Sequence, residues 1–209
     1  MLYLTWPRNL FRDPKFVIIF VAGALATFPI IVPPYFLPLY AHSLGLSSQT
    51  GTTLVATFNL SSAVGRIGCG LMGDRLGPLN ALFTSLLLSA LSMLALWPAS
   101  ATLAPLVAFA VVNGAANGGF FAIMPTVAAR LFGSARLAVA MGMIVSAWGA
   151  GYLLGAPIAG YILQAYGGQT AGFRAFRPAI YYAGSMALGA AGLVGMARLV
   201  VDRRLARRI

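Results

Sequence analysis

The chain has 209 residues, 60% of them hydrophobic and 8% charged, with a mean hydropathy of +0.87. Water-soluble domains carry about 25% charged residues, so the composition excludes an ordinary soluble globule and defines an integral membrane protein. The net charge of +11, from 14 Lys and Arg against 3 Asp, would point to nucleic acid in a soluble chain. Here the basic residues fall in short gaps between apolar runs, where they orient a membrane chain, and no nucleic-acid partner is expected. Cys69 and His42 are the only residues of their types, which leaves no intrachain disulfide, no Cys-rich metal site and little raw material for histidine-based catalysis. No G-x-S-x-G or H-E-x-x-H pattern occurs, so an enzyme, a metal and a cofactor are not expected.

A hydrocarbon core of about 30 Å needs about 20 mainly apolar residues per helix. Six runs satisfy this, at residues 16–40, 50–72, 80–97, 103–124, 137–166 and 178–200. The expected fold class is all-α, a polytopic bundle over 16–200, because lipid tolerates no open sheet edge and barrel strands would be half as long and alternate in polarity. Residues 1–15 carry Arg8, Arg12 and Lys15 with Trp6, and they lack the short apolar core and small-residue cleavage site of a signal peptide. Residues 201–209 read as a basic tail. Eleven basic residues lie on the side shared by the two ends: Arg8, Arg12, Lys15, Arg75, Arg130, Arg136 and the five from Arg198 onward. Only Arg174 and Arg177 lie on the other side. Both termini and the intervening Asp74-Arg75 segment are therefore expected to face the cytoplasm. Arg66 belongs to neither group, because it sits inside the second span.

In the first span Pro29, Pro33, Pro34 and Pro38 interrupt the hydrogen-bond ladder, which predicts a kink in its outer half. Tyr35 and Phe36 sit there, either as an outer gate or as part of the interfacial aromatic belt. In the second span Asn59, Ser62, Arg66 and Gly70 fall within about 80° of one another at 100° per residue, a narrow polar stripe. Arg66 stands about 12 Å deeper than Asp74 along the helix, eight residues at 1.5 Å each. A charge at that depth costs at least about 2.5 kcal/mol unless it meets a cavity, a partner or an anion. The two readings of Arg66 are a site residue facing such a cavity and a long side chain snorkelling to the headgroups.

The gap after this span reads Gly70-Leu71-Met72-Gly73-Asp74-Arg75-Leu76-Gly77. Its glycines permit close helix approach and a sharp turn, and Asp74 can accept from a neighbouring helix N-terminus or from Arg75. The expected role is a gating latch, against that of an ordinary polar turn. The fourth span places Asn113, Asn117, Phe120 and Met124 on one face, with Gly114 and Gly118 turned away. That face suits a small polar substrate or, alternatively, amide hydrogen bonds between helices. In the fifth span Gly151, Gly155 and Ala159 recur every four residues, with Pro157 and Gly160 beside them. This spacing predicts a close helix crossing rather than a ligand site.

The glycine-rich G-x-x-G-D-R-x-G segment resembles the loop between the second and third helices of each half of major facilitator transporters. The flanking runs Phe58–Arg66, Asn113–Phe121 and Gly151–Gly160 resemble the monocarboxylate-transporter family in its fungal-type branch. The resemblance covers essentially the whole chain and maps to helices seven to twelve, one half of that fold. It implies a secondary transporter moving a small monocarboxylate together with a proton by alternating access around a midplane site, in the plasma membrane. In the family the arginine matching Arg66 is held to bind the substrate carboxylate, and animal members carry an acid one turn earlier, where this chain has Ser62. The expected substrate-site residues are thus Tyr35, Asn59, Ser62, Arg66, Asn113, Asn117 and Phe120. The expected partners are the lipid bilayer, a small organic anion, a proton, and a covering bundle supplied by an N-terminal six-helix half or by a second copy. The competing reading is a truncated, non-transporting membrane protein. A channel or mitochondrial-type carrier is disfavoured, since no N-P-A and no repeated P-x-[DE]-x-x-[KR] occurs.

Overall fold

In the computed structural model, which describes residues 7–201, six helices are long and apolar enough to cross a bilayer. They are α1 (Pro14–Ser43), α2 (Ser48–Leu76), α3 (Pro78–Ala99), α4 (Leu103–Phe132), α5 (Ser134–Ala165) and α6 (Phe173–Val201). The all-α architecture follows the sequence expectation, with each expected span lying inside or within a residue of one helix. The basic tail beyond Val201 and the stretch holding Trp6 lie outside the described residues.

Local chemistry sets the helix ends. The Asp13 carboxylate accepts the Lys15 N–H at 2.9 Å, and Pro14 follows at the first helical position, where its missing donor costs nothing. Ser47 caps α2 by accepting the Thr50 N–H at 3.2 Å. The α2–α3 and α4–α5 connections are single glycines in left-handed conformation, Gly77 at φ 94° and Gly133 at φ 78°, a region that side chains disfavour. Both connections are tighter than expected. The Gly70–Leu76 segment is not a loop but the last two turns of α2. Arg130 and Arg136 likewise belong to the end of α4 and the start of α5. Nothing in either stretch breaks a helix before the glycine, and a helix satisfies its own backbone up to the membrane surface.

Helix α2 lies along α4, α1 packs against α5 and α6, and α3 fills the angle between α4 and α6. The α2–α4 contact is backbone on backbone: Gly114 meets the Phe58 carbonyl, Gly118 meets the Ser62 carbonyl, and Gly65 meets Ala115. Gly151 and Gly155 meet the backbone of Thr27 and Phe28 in α1 in the same way, as their spacing implied. Gly160 has open space around it and Pro157 is exposed, so neither belongs to that crossing. Two apolar clusters form the interior, one around Phe16, Leu82, Met124 and Ile144 and the other around Tyr40, Trp97, Phe109 and Phe176. Between them along α3 and α4 run the buried polar residues Ser85, Ser89, Ser92, Asn113 and Asn117.

Because a Cβ at Gly118 would overlap the Ser62 carbonyl, Gly118→Ala is expected to push α2 off α4. Overpacking of this kind costs about 1–3 kcal/mol. The expected observation is a lowered thermal unfolding midpoint of the detergent-solubilised protein, whereas Gly160→Ala leaves it unchanged.

Candidate half-cavity around Arg66

Helix α1 breaks at Ile31 into Pro14–Ile30 and Val32–Ser43. Pro33 and Pro34 have no N–H to offer the carbonyls of Pro29 and Ile30, so the ladder lapses there. The break lies just beyond the midpoint of this span, in the C-terminal half where the proline run placed the kink.

The break opens onto α2, α4 and α5. Ile31 and Pro34 of the break, Asn59, Ser62 and Arg66 of α2, Asn117 and Phe121 of α4, and Tyr152 of α5 line one cavity of about 210 Å³. Four polar side chains and the rings of Phe58, Phe121 and Tyr152 thus converge on one cavity. Small-molecule sites usually enclose about 300–1,000 Å³; this cavity is smaller and open, as one wall of a divided site would be. Arg66 is exposed on this wall, and among the described residues no hydrogen bond or ion pair engages it.

The expected residues separate into those the cavity gathers and those it does not. Asn59, Ser62, Arg66 and Asn117 share it. Asn113 does not: it is fully buried, and its Nδ2 donates to Ser92 Oγ at 2.8 Å and to the Ser89 carbonyl and hydroxyl oxygens at 3.3 Å each. Phe120 is also interior, 1% exposed and 5.3 Å from the Trp148 ring. Its neighbour Phe121 takes the cavity position instead. The reason is rotational. The glycine contact with α2 turns the Gly114–Gly118 edge of α4 toward that helix, so the cavity falls on the adjacent Asn117–Phe121 edge, two residues about 40° apart at 100° per residue. The Asn113–Phe120 face then looks into the core. Tyr35 is 61% exposed and lies outside the cavity lining, while Phe36 is buried against Phe176.

Gly70 also departs from expectation, with open space around it; the close contact belongs to Gly73, against Ile123. Asp74 and Arg75 are exposed in the last turn of α2, and Gly77 makes the turn itself. Among the described residues, neither Arg75 nor a helix N-terminus donates to Asp74. Asp74 instead shares a surface groove with Arg130 from the end of α4. Sequence reasoning missed Phe121 and Tyr152. An aromatic residue one position past Phe120 was visible, but the choice between them needs the α4 rotation.

Helices α2 and α5 are only 17% and 22% buried over their most apolar windows, against 61% for α4. Leu60, Val64 and Ile67 of α2 and Leu153 and Leu154 of α5 stand exposed on them. A six-helix unit with a broken first helix, a polar half-cavity and two uncovered helices is one bundle of a larger polytopic membrane fold. Residues 16–208 match the sequence profile of the Major Facilitator Superfamily, and the chain belongs to that superfamily. It is similar to the MFS transporter asaE of Aspergillus flavus, 28% identical over 190 residues, 91% of this chain and 42% of that protein. It is also similar to the aspyridones efflux protein apdF of Emericella nidulans, 31% identical over 76% of this chain and 32% of that protein. A third relative is the agnestins efflux protein AgnL12 of Paecilomyces divaricatus, 30% identical over 75% of this chain and 36% of that protein. The chain thus spans about two fifths or less of the length of these relatives.

Proposed function

We propose that the chain forms the C-terminal half of a secondary transporter of the monocarboxylate-transporter type, which moves a small organic anion together with a proton by alternating access. The observation that carries this reading is the placement of Arg66, a permanent cation at mid-helix depth, in a cavity with Asn59, Ser62 and Asn117. A planar guanidinium grips a carboxylate at two points, and the surrounding apolar helices strengthen that attraction by lowering the local dielectric. The break in α1 supplies a joint beside the site, a feature of transporters whose bundles rock around a midplane cavity. The efflux names of two fungal relatives favour outward movement.

The chain's three acids, Asp13, Asp74 and Asp202, all lie at helix ends or in the tail, so its own cavity offers no carboxylate to carry the proton. The proton then travels on the substrate acid itself or on a group of the covering half. Flux should follow the proton gradient. In cells holding the complete two-bundle assembly, acidifying the outside is expected to raise mandelate or lactate entry severalfold, and a protonophore to remove that gain; entry indifferent to both rejects coupling. We place the assembly in the plasma membrane with both termini in the cytoplasm. Cysteines introduced at the exposed Ser47 and Gln169 should then react with an impermeant thiol reagent from outside, while native Cys69, 6% exposed, stays silent. Labelling from the cytoplasmic face alone reverses the orientation.

A further inference from the structure

The buried polar layer beside the cavity dictates which end of the Asn117 amide faces the ligand. The direction of each hydrogen bond follows from what each atom is able to do. The Ser89 backbone carbonyl only accepts, and it takes the Ser92 hydroxyl proton at 2.8 Å. Having donated there, Ser92 Oγ is free only to accept, and the group facing it at 2.8 Å on Asn113 must be the NH2. The same NH2 lies 3.3 Å from the Ser89 carbonyl. Asn113 Oδ1 therefore points the other way, toward Asn117, which donates its own Nδ2 at 3.2 Å. One acceptor atom remains, Asn117 Oδ1. The only buried side-chain N and O atoms without partners among the described residues are Trp97 Nε1, Trp148 Nε1 and Tyr182 OH. Asn117 Oδ1 is thus open to the cavity that Asn117 lines. Ser92 opens the π-helical turn Ser92–Leu96 of α3, the local widening that brings a serine hydroxyl under Asn113; such turns recur at functional sites.

We propose that Ser89, Ser92 and Asn113 are positioning residues that hold Asn117 with its carbonyl oxygen toward the ligand, and that the cavity thereby selects an organic anion bearing an O–H or N–H donor beside its anionic group. This rests on the reading of the Arg66 cavity as the ligand site. Arg66 offers donors only and Asn117 Oδ1 is an acceptor only, so the two ends of the polar wall demand opposite groups. An anion without a donor leaves the amide oxygen desolvated and unpaired, and sites built around a hydrogen bond reject analogues that lack it. Phe121 and Tyr152 present rings to the ligand's apolar body. The class is a hydroxylated, enolic or N–H-bearing aryl anion rather than a plain monocarboxylate.

Three probes separate the terms: mandelate has the carboxylate, the ring and a donor; O-methylmandelate has an acceptor in the donor's place; phenylacetate has neither. The full chain in lipid nanodiscs is titrated with each, followed by the side-chain amide NMR signals of its asparagines, which read weak binding. Mandelate is expected to bind at least about tenfold more tightly than O-methylmandelate. Asn117→Leu and Asn113→Leu reduce that ratio to near one. Ser92→Ala, a single-hydroxyl change that leaves the packing in place, moves the ratio in the same direction. Arg66→Gln abolishes binding of all three. Arg66-dependent binding with no preference for mandelate, or a preference that survives Asn117→Leu, overturns the donor selection and leaves the anion site standing. Absence of Arg66-dependent binding by every probe overturns both.

Discussion

Arg66→Gln is expected to abolish anion uptake by the complete two-bundle assembly, and Arg66→Lys to leave a weakened remnant. Each hydrogen bond to a charged group contributes about 1.5–3 kcal/mol, so losing a bidentate pair removes a factor of at least a hundred at about 1.4 kcal/mol per tenfold. Lysine restores the charge and not the fork, which separates electrostatic attraction from two-point recognition. The amount of protein in the membrane should change little, because the Arg66 side chain is exposed on the cavity wall and makes no contact on which the bundle depends. Replacing a charge by an amide at that depth even relieves a solvation cost of at least about 2.5 kcal/mol. Full uptake by a well-expressed Arg66→Gln variant would mean that the guanidinium serves the headgroup region and not a ligand.

The second large effect concerns the chain by itself. Reconstituted as a monomer, it is expected to transport no monocarboxylate, whereas co-expression with a matching N-terminal half restores activity. The cavity has one wall, and the wall is open. Alternating access by rocking needs an opposing bundle against which the site is opened to one side and then the other. The exposed apolar side chains of α2 and α5 are the surface such a bundle would cover, and a second copy of the chain is the other candidate cover. Saturable, Arg66-dependent uptake by demonstrably monomeric protein in liposomes would refute the requirement. Saturable uptake confined to dimeric fractions would instead assign the cover to a second copy.

Much of the membrane architecture was legible along the chain. Six spans follow from apolar run length alone, since a bilayer imposes one thickness on every crossing helix. The polar stripe of Asn59, Ser62 and Arg66 also follows, because residues three or four apart on one helix share a face whatever that helix packs against. The Gly151–Gly155 crossing was readable for the same reason. Helix ends were less so. The Asp74-Arg75 segment looked like a loop because its polarity marks the membrane surface, yet polarity does not stop a helix, and only Gly77, with its left-handed φ of 94°, does.

What the tertiary structure decided is the rotation of α4. Periodicity grouped Asn113, Asn117 and Phe120 on one face, but no local signal says which way that face looks. The answer lies in α2, fifty residues earlier in the chain, whose carbonyls at Phe58 and Ser62 receive Gly114 and Gly118. A backbone contact that close leaves one permitted rotation, and it sends Asn113 and Phe120 inward while bringing Phe121 to the cavity. The same contact leaves Asn117 at the boundary, bonded on one side to Asn113 and open on the other. Composition and periodicity therefore determined a six-span bundle with one intramembrane cation. Which side chains stand beside that cation was settled by long-range backbone packing, because helix rotation depends on atoms that only the fold brings together.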